Sequence, residues 1–207
     1  MIISILAAII IGIGSGYLWL TIEARPVLDN VLMAALAFMV FVAGIEIGGN
    51  RHIIKKIWHP RGIALLIAIP SAVTLGSLLG GGMAGFLAGM GVRDAVLVSA
   101  GLGWYSLSSV VISTMYSVEV GTVAFLANAM RETLSFVLIP LVARRNKVMS
   151  VGIGGASTMD STLPVVIKYT DLHTGILGFV NGLVLTLIVP FIVELFWLLY
   201  CICNAFN

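Results

Sequence analysis

Long, mostly apolar runs alternate with short polar clusters along the chain. Five of these runs are long enough to cross a bilayer, whose apolar core needs about 20 helical residues. They cover residues 2–20, 27–48, 62–92, 120–143 and 174–200. The run 62–92 alone holds 31 residues without a charge. The pattern therefore predicts a helical membrane protein with about five transmembrane helices.

Two glycine-rich polar stretches, 99–109 and 150–164, interrupt this pattern. A shift of 51 residues pairs many of their serines and glycines, and a long apolar segment with a proline follows each stretch. Corresponding glycine-interrupted segments in two halves of a membrane protein are typical of a transporter's binding site. The turns of the two expected hairpins are assigned to five glycines: Gly101, Gly103, Gly152, Gly154 and Gly155.

The basic residues predict an orientation. Loop 50–61 is rich in Lys and Arg, so the positive-inside rule places it in the cytoplasm together with the N-terminus. The second basic cluster, 144–147, reaches the same side if residues 95–118 form a re-entrant hairpin instead of a crossing. Residues 149–168 then form a second hairpin entered from the cytoplasm, and the C-terminus lies outside.

Each hairpin with its following helix forms one repeat, and the two repeats have opposite orientations. The predicted fold is therefore an all-α polytopic membrane protein with about five transmembrane helices and two re-entrant, broken-helix hairpins in an inverted-topology repeat. Residues 1–92 are expected to form scaffold or interface helices. Residues 93–207 are expected to form a transport core with repeats at 93–147 and 148–207. A helix bend or end is expected at the glycine run 80–82.

Composition narrows the class of function. Hydrophobic residues make up 60% of the chain and charged residues 10%, which excludes a soluble domain. The net charge of +2 is too small to indicate a nucleic-acid partner. Cys201 and Cys203 have poor spacing for a disulfide or a zinc site, so neither metal nor cofactor is expected. The N-terminus lacks the basic region of a signal peptide, so the first run is expected to remain as a helix.

Asp160 is the first candidate for chemistry, because it lies inside the second glycine-rich stretch. A charge at membrane depth costs roughly 2.5–3.5 kcal/mol and therefore needs a reason. With Ser157 and Thr158 beside it, the carboxylate suits a cationic guest. The alternative is that Asp160 caps a half-helix, and the two roles are compatible at a broken helix.

A second polar group lies midway along the run 120–143. Neighbouring helix positions point about 100° apart, so Arg131 and Glu132 do not face each other, whereas Asn128 shares a face with each. The group is either a substrate site with a proton-titrating carboxylate or an intramembrane ion pair that serves packing. Asn181 falls near the repeat position of Asn128 if two or three residues are inserted, and its amide needs partners.

Four aromatic and hydroxyl residues follow the first glycine turn. Trp104 and Tyr105 either pack against other helices or line a substrate cavity with Ser106 and Ser108. Glu46 lies near the cytoplasmic end of its predicted helix, where it is either solvated or functional.

The chain resembles the LysO-type lysine exporter family of bacteria and archaea over nearly its whole length. The resemblance is strongest in four motifs: GLGWYSLS from Gly101, ANAMRE from Ala127, LIP from Leu138 with the Arg144-Arg145 pair, and GGASTMD from Gly154 followed by TLP. It implies export of L-lysine and of toxic analogues such as thialysine across the inner membrane, with protons as the exchanged ion.

The resemblance also suggests how the matching residues Asn128, Arg131, Glu132 and Asp160 act. Each carboxylate is expected to take an ammonium group, and Arg131 or the N-terminus of a half-helix to take the substrate carboxylate. Longer family members carry about three more N-terminal helices. The chain is therefore expected to work as a homo-oligomer or with a small membrane partner subunit.

Three other classes compete with this interpretation. A sodium-coupled amino-acid or organic-anion transporter is the main alternative, because broken helices also build sodium sites. An intramembrane serine protease needs a histidine near its serine, and His52, His59 and His173 all lie in predicted loops, so no enzyme is expected. A non-transporting membrane subunit is disfavoured by the charges inside two broken helices.

Overall fold

The computed structural model describes residues 2–19 and 59–205, with isolated positions between 27 and 49. These residues are helical and contain no strand, which confirms the all-α prediction. The helices are α1 (Ile2–Trp19), α2 (Pro60–Leu87), α3 (Val92–Ser99), α4 (Tyr105–Met115), α5 (Val118–Ala143), α6 (Lys147–Gly154), α7 (Leu163–Tyr169) and α8 (Leu172–Ala205). A 3-10 helix, Gly155–Met159, follows α6. The predicted helix over 27–48, including Glu46, lies outside the described residues.

Within the described part of the chain, three helices are long and apolar enough to cross a membrane. They are Gly62–Leu87 in α2, Val118–Ala143 and Leu172–Leu198 in α8, and they correspond to three of the five predicted crossings. Large apolar side chains such as Leu79 and Leu187 are exposed on their outer faces, as expected for contact with lipid. The chain is therefore a multi-pass membrane protein. The full number of crossings and the inverted repeat stay predictions.

Each glycine-rich stretch splits its segment into two short helices. The first break (residues 100–104) separates α3 from α4, and the second break (residues 155–162) separates α6 from α7. None of these four helices exceeds 11 residues, so none is long enough to cross a bilayer alone. The backbone enters the left-handed region at Leu102 and Gly103 in the first break and at Gly155 in the second. Glycine adopts this region at little cost, which explains why turns form there.

We expected the helix to bend or to end at the glycine run 80–82. The prediction of an end is wrong, because α2 continues through these glycines to Leu87. A Cβ on Gly81 would overlap the Ser99 hydroxyl, and one on Gly85 would overlap Ala95. The missing side chains allow α3 to lie directly against α2, as small residues do between membrane helices. Helix packing therefore outweighs the low helix propensity of glycine here.

The core lies where the interrupted segments pack against α5 and α8. Leu102 and Ile112 from the first segment and Val151 from the second are at most 1% exposed. Ile139 of α5 and Leu185 of α8 are buried to the same degree. The two breaks are therefore held inside the molecule, which allows them to form a site.

A polar contact closes each interrupted segment at its base. In the first, the Tyr116 hydroxyl donates to the Asp94 carboxylate at 2.6 Å, which joins the end of α4 to the start of α3. In the second, Lys147 at the start of α6 pairs with Asp171, directly before α8, at 2.8 Å. These contacts hold the two arms of each segment side by side.

Candidate functional site

The two breaks contact each other through their backbones. The Ala156 N–H donates to the Leu102 carbonyl at 3.0 Å. A Cβ on Gly155 would collide with that carbonyl, and one on Gly103 would lie 3.0 Å from the Gly154 carbonyl. Glycine is therefore needed here both for the turn and for the close approach of the two breaks.

Two buried asparagines tie the breaks to the long helices. Asn128 of α5 accepts a hydrogen bond from the Gly103 N–H at 2.8 Å. Asn181 of α8 donates to the Gly155 carbonyl at 3.2 Å and to the Thr158 hydroxyl at 3.1 Å. Each asparagine thus binds the break of its own half of the chain, and neither is among the residues that line the cavity described next.

A cavity of about 100 Å³ lies beside the contact between the breaks. Six of the residues predicted for the site line it: Trp104, Tyr105, Ser106, Glu132, Ser157 and Asp160. They come from both breaks, the start of α4 and the middle of α5. The structure therefore brings together residues that are more than 50 positions apart in the sequence.

The cavity is acidic and rich in hydroxyl groups. The carboxylate residues Glu132 and Asp160 line it together with the hydroxyl residues Tyr105, Ser106, Ser157, Ser161 and Thr186. No Lys or Arg lines the cavity among the described residues. Two carboxylates beside aromatic rings and hydroxyls favour a cationic guest over an anion.

The Asp160 carboxylate does not cap α7. It accepts a hydrogen bond from the adjacent Ser161 N–H at 2.5 Å, whereas α7 begins at Leu163 and has no side-chain cap. The Ser161 hydroxyl lies beside both carboxylates of the cavity but has no partner in good hydrogen-bond geometry. Among the described residues, the Ser161 N–H is thus the hydrogen-bond donor in good geometry to the Asp160 carboxylate, which leaves the carboxylate able to bind a guest as well.

Arg131 is not among the residues that line this cavity. Its guanidinium donates to the Ile153 carbonyl at 3.1 Å, the Gly152 carbonyl at 3.1 Å and the Ser77 hydroxyl at 2.9 Å. The last carbonyls of a helix lack intrahelical partners, and a cation suits that end of the helix dipole. Arg131 thus caps α6 and joins it to α2 and α5. It forms no ion pair with any carboxylate in the described part of the chain.

The remaining predicted residues lie behind the cavity wall. Ser108 is fully buried and donates to the Trp104 carbonyl at 2.7 Å, and Thr158 donates to the Gly155 carbonyl at 2.7 Å. A Cβ on Gly101 would collide with the Asn128 and Ser108 side chains. Of the five assigned turn glycines, Gly103 and Gly155 adopt left-handed backbone angles. Gly152 and Gly154 instead belong to the last turn of α6.

Four lining residues were not selected from the sequence: Ala156, Met159, Ser161 and Thr186. The Thr186 hydroxyl donates to the Met159 sulfur at 3.3 Å and to the Gly182 carbonyl at 2.8 Å. The available signal was Pro190, which cannot donate to the Thr186 carbonyl one turn earlier and so marks an irregular helix there. For Met159 and Ser161 the signal was their position next to Asp160.

Two interrupted helices that meet beside an acidic cavity define a multi-pass membrane protein built like the transporters whose binding sites lie at broken helices. The family model for the lysine exporter LysO matches residues 6–197. The chain therefore belongs to the lysine exporter LysO family, as its motifs predicted.

Two relatives agree with this membership. The chain is 31% identical to "Lysine exporter LysO" of Escherichia coli (strain K12) over 162 residues, which are 78% of this chain and 53% of that protein. It is 32% identical to "Putative lysine exporter" of Haemophilus influenzae over 192 residues, 93% of this chain and 96% of that protein. The chain thus spans about half the length of the E. coli relative. No solved structure matches it significantly.

Proposed function

We propose that this chain exports L-lysine, and analogues such as thialysine, from the cytoplasm in exchange for protons. The observation that carries the proposal is the acidic cavity at the meeting point of the two breaks. Membership of the lysine exporter LysO family supports the choice of lysine among cationic substrates. The cavity has the features of a transport site, and we expect no enzymatic activity.

The cavity suggests how lysine binds. Glu132 and Asp160 take an ammonium group, and the rings of Trp104 and Tyr105 at the cavity wall stabilise the same positive charge. The three hydrogen bonds of Arg131 to protein groups leave it unsuited to the substrate carboxylate. The start of α4 is better placed, because Tyr105 and Ser106 line the cavity and no side chain caps that helix.

The same carboxylates would couple export to protons. Protonation of Glu132 or Asp160 from the outside removes the charge that holds the ammonium group, so lysine leaves. Release of the proton to the cytoplasm restores the charge and prepares the site for the next lysine. The two breaks, whose contact forms one side of the cavity, would provide alternating access by moving relative to each other.

The location and assembly follow from the exposed helices. We expect the chain in the inner membrane with its N-terminus in the cytoplasm and its C-terminus outside. Only 22% of the most apolar stretch of α2, and the same share of that of α5, is buried inside the described part of the chain, which leaves broad apolar faces. We expect these faces to contact lipid and either another copy of the chain or a small membrane partner subunit.

The deciding experiment measures efflux of labelled lysine from cells that lack their own exporter and are loaded with a lysine dipeptide. We expect Asp160→Asn and Glu132→Gln to lower the efflux rate by about tenfold or more, because each removes a ligand of the ammonium group. Glu119→Gln is the matched control, since Glu119 is exposed in the first turn of the same helix as Glu132. Full efflux by the Asp160 variant would refute the assignment of the site.

The coupling ion is tested separately from the substrate. Hydroxyl and carboxylate oxygens at a broken helix also suit sodium, so the sodium-coupled alternative shares the same cavity. We expect lysine efflux to follow an imposed proton gradient and to be insensitive to a sodium gradient at constant pH. The reverse dependence would replace protons by sodium and leave the site assignment intact.

A further inference from the structure

The two buried asparagines differ in one respect. Asn128 uses both ends of its amide: Oδ1 accepts from Gly103, and Nδ2 donates to the Val98 and Ala124 carbonyls. Asn181 is only 1% exposed, yet its Oδ1 has no hydrogen-bond partner among the residues the structure describes. A buried acceptor without a donor is unfavourable and calls for an explanation.

The orientation of the Asn181 amide is determined by its neighbours. Its Nδ2 faces the Gly155 carbonyl and the hydroxyl of Thr158, and that hydroxyl already donates to the same carbonyl. Exchanging the oxygen and nitrogen of the amide would bring Oδ1 against two oxygen atoms. The atom without a partner is therefore the oxygen, which needs a donor.

The sequence offset between the asparagines identifies that donor. They are 53 residues apart, two more than the shift that pairs the serines and glycines of the two stretches, and an offset of 53 takes Leu102 to Gly155 and Gly103 to Ala156. Leu102 and Gly155 both have a positive φ, of 49° and 65°, which supports this pairing. The N–H that corresponds to the partner of Asn128 is therefore that of Ala156. In this structure it donates across the contact to the Leu102 carbonyl instead.

We infer that Asn181 is a positioning residue of the transport cycle whose Oδ1 takes the Ala156 N–H when the two breaks separate. With the breaks together, this N–H bonds to Leu102. With the breaks apart, it bonds to Asn181, so a buried N–H stays paired in both arrangements. The inference rests on the proposed export function. It defines the two states between which the breaks move: together, with the N–H bonded to Leu102, and apart, with the N–H bonded to Asn181.

A disulfide measurement reports directly on the two states. Ser106, in the first turn of α4 directly after the first break, and Met159, in the second break, both line the cavity. Ser106→Cys and Met159→Cys should therefore form a disulfide more readily when the breaks are together. The pair is introduced into the full chain after replacement of Cys201 and Cys203 by serine, and the disulfide yield is measured in native membranes with a mild oxidant.

Two substitutions of Asn181 should shift this yield in opposite directions. Asn181→Leu removes the acceptor that stabilises the separated state and should raise the yield by about twofold or more. Asn181→Asp keeps the acceptor and adds negative charge, so at pH 8 it should lower the yield by a similar factor, about twofold. As a matched control, Asn128→Leu removes a bond that does not change partners, and it should reduce the amount of folded protein without changing the yield.

Equal yields in the two Asn181 variants, or shifts in the same direction, would overturn the inference. If one variant does not accumulate, an unchanged yield in the other has the same consequence. Transport kinetics give a second readout: Asn181→Leu should lower the maximal efflux rate with the half-saturating lysine concentration within about twofold of the unsubstituted chain. A change in half-saturation alone would assign Asn181 to substrate binding instead. The disulfide yield needs no lysine, so failure of lysine export would refute only the proposed function.

Discussion

Arg131 shows how one side chain can join three helices through its geometry. Its planar guanidinium serves two carbonyls at the end of α6 and the Ser77 hydroxyl of α2 at the same time. A lysine side chain carries the same charge, but its ammonium group lacks the planar arrangement of several N–H donors. We expect Arg131→Lys to lower the free energy of unfolding by about 1–3 kcal/mol, because buried carbonyls lose their donors. Thermal unfolding in detergent measures this change.

The control for this substitution is Arg144→Lys, because Arg144 is exposed just after α5. It should leave the unfolding temperature unchanged. If Arg131→Lys unfolded like the unsubstituted protein but needed more lysine for half-maximal efflux, the guanidinium would bind the substrate after all.

The contact between α2 and α3 depends on glycines along one side of α2. We expect Gly81→Ala to lower the free energy of unfolding by about 1–3 kcal/mol, because the added methyl group would overlap Ser99. Gly80→Ala is the matched control: nothing lies within 4 Å of its Cβ position, so it should stabilise the helix by up to about 1 kcal/mol. Opposite shifts in unfolding temperature would confirm the packing, and equal stabilisation by both would contradict it.

The ion pair between Lys147 and Asp171 holds together the base of the second interrupted segment. Partial burial acts to raise the pKa of Asp171, but the hydrogen bonds from Lys147 and Thr174 outweigh it and lower that pKa to about 2. The unfolded value is about 3.9, so the stabilisation is complete above that pH and is lost as the pH falls towards 2. The side chains of Lys147 and Asp171 are 55% and 43% exposed, so solvent weakens the pair.

We therefore expect Asp171→Asn to lower the free energy of unfolding by only about 0.5 kcal/mol at neutral pH. The difference from the unsubstituted protein should stay constant between about pH 5 and pH 8 and shrink below about pH 4. Chemical unfolding in detergent at several pH values measures it. A difference that grows as the pH falls would show that the charge of Asp171 is unfavourable in the folded protein.

At the scale of the whole molecule, the inverted repeat predicted from the sequence would place the ends of the two interrupted segments on opposite sides of the membrane. Single cysteines test this placement in a chain without Cys201 and Cys203. We expect an impermeant maleimide added outside intact cells to label Glu119→Cys and to leave His173→Cys unlabelled until the membrane is opened. Labelling of both from the same side would rule out the inverted arrangement.

The sequence was most informative where a local rule applies. Glycine in a polar stretch predicted both breaks, and charge at membrane depth selected Glu132 and Asp160, which share one cavity. Arg131 was harder, because helix spacing shows that it points away from Glu132 but not which groups lie opposite. Those groups are backbone carbonyls of α6. Every residue has a backbone carbonyl, so the sequence does not indicate which ones Arg131 contacts. The glycine run in α2 was misjudged for the same reason: its partner, α3, is brought there by folding.

For the proposed exchange of lysine for protons, the pairing of Glu132 and Asp160 in one cavity has an electrical consequence. Two carboxylates can hold two protons, whereas a departing lysine carries one net positive charge. Exchange of one lysine for one proton is electroneutral and indifferent to voltage. Exchange for two protons moves one charge inward, so the membrane potential contributes about 2.3 kcal/mol per 100 mV to each cycle. The voltage dependence of efflux therefore counts the protons that the two carboxylates carry.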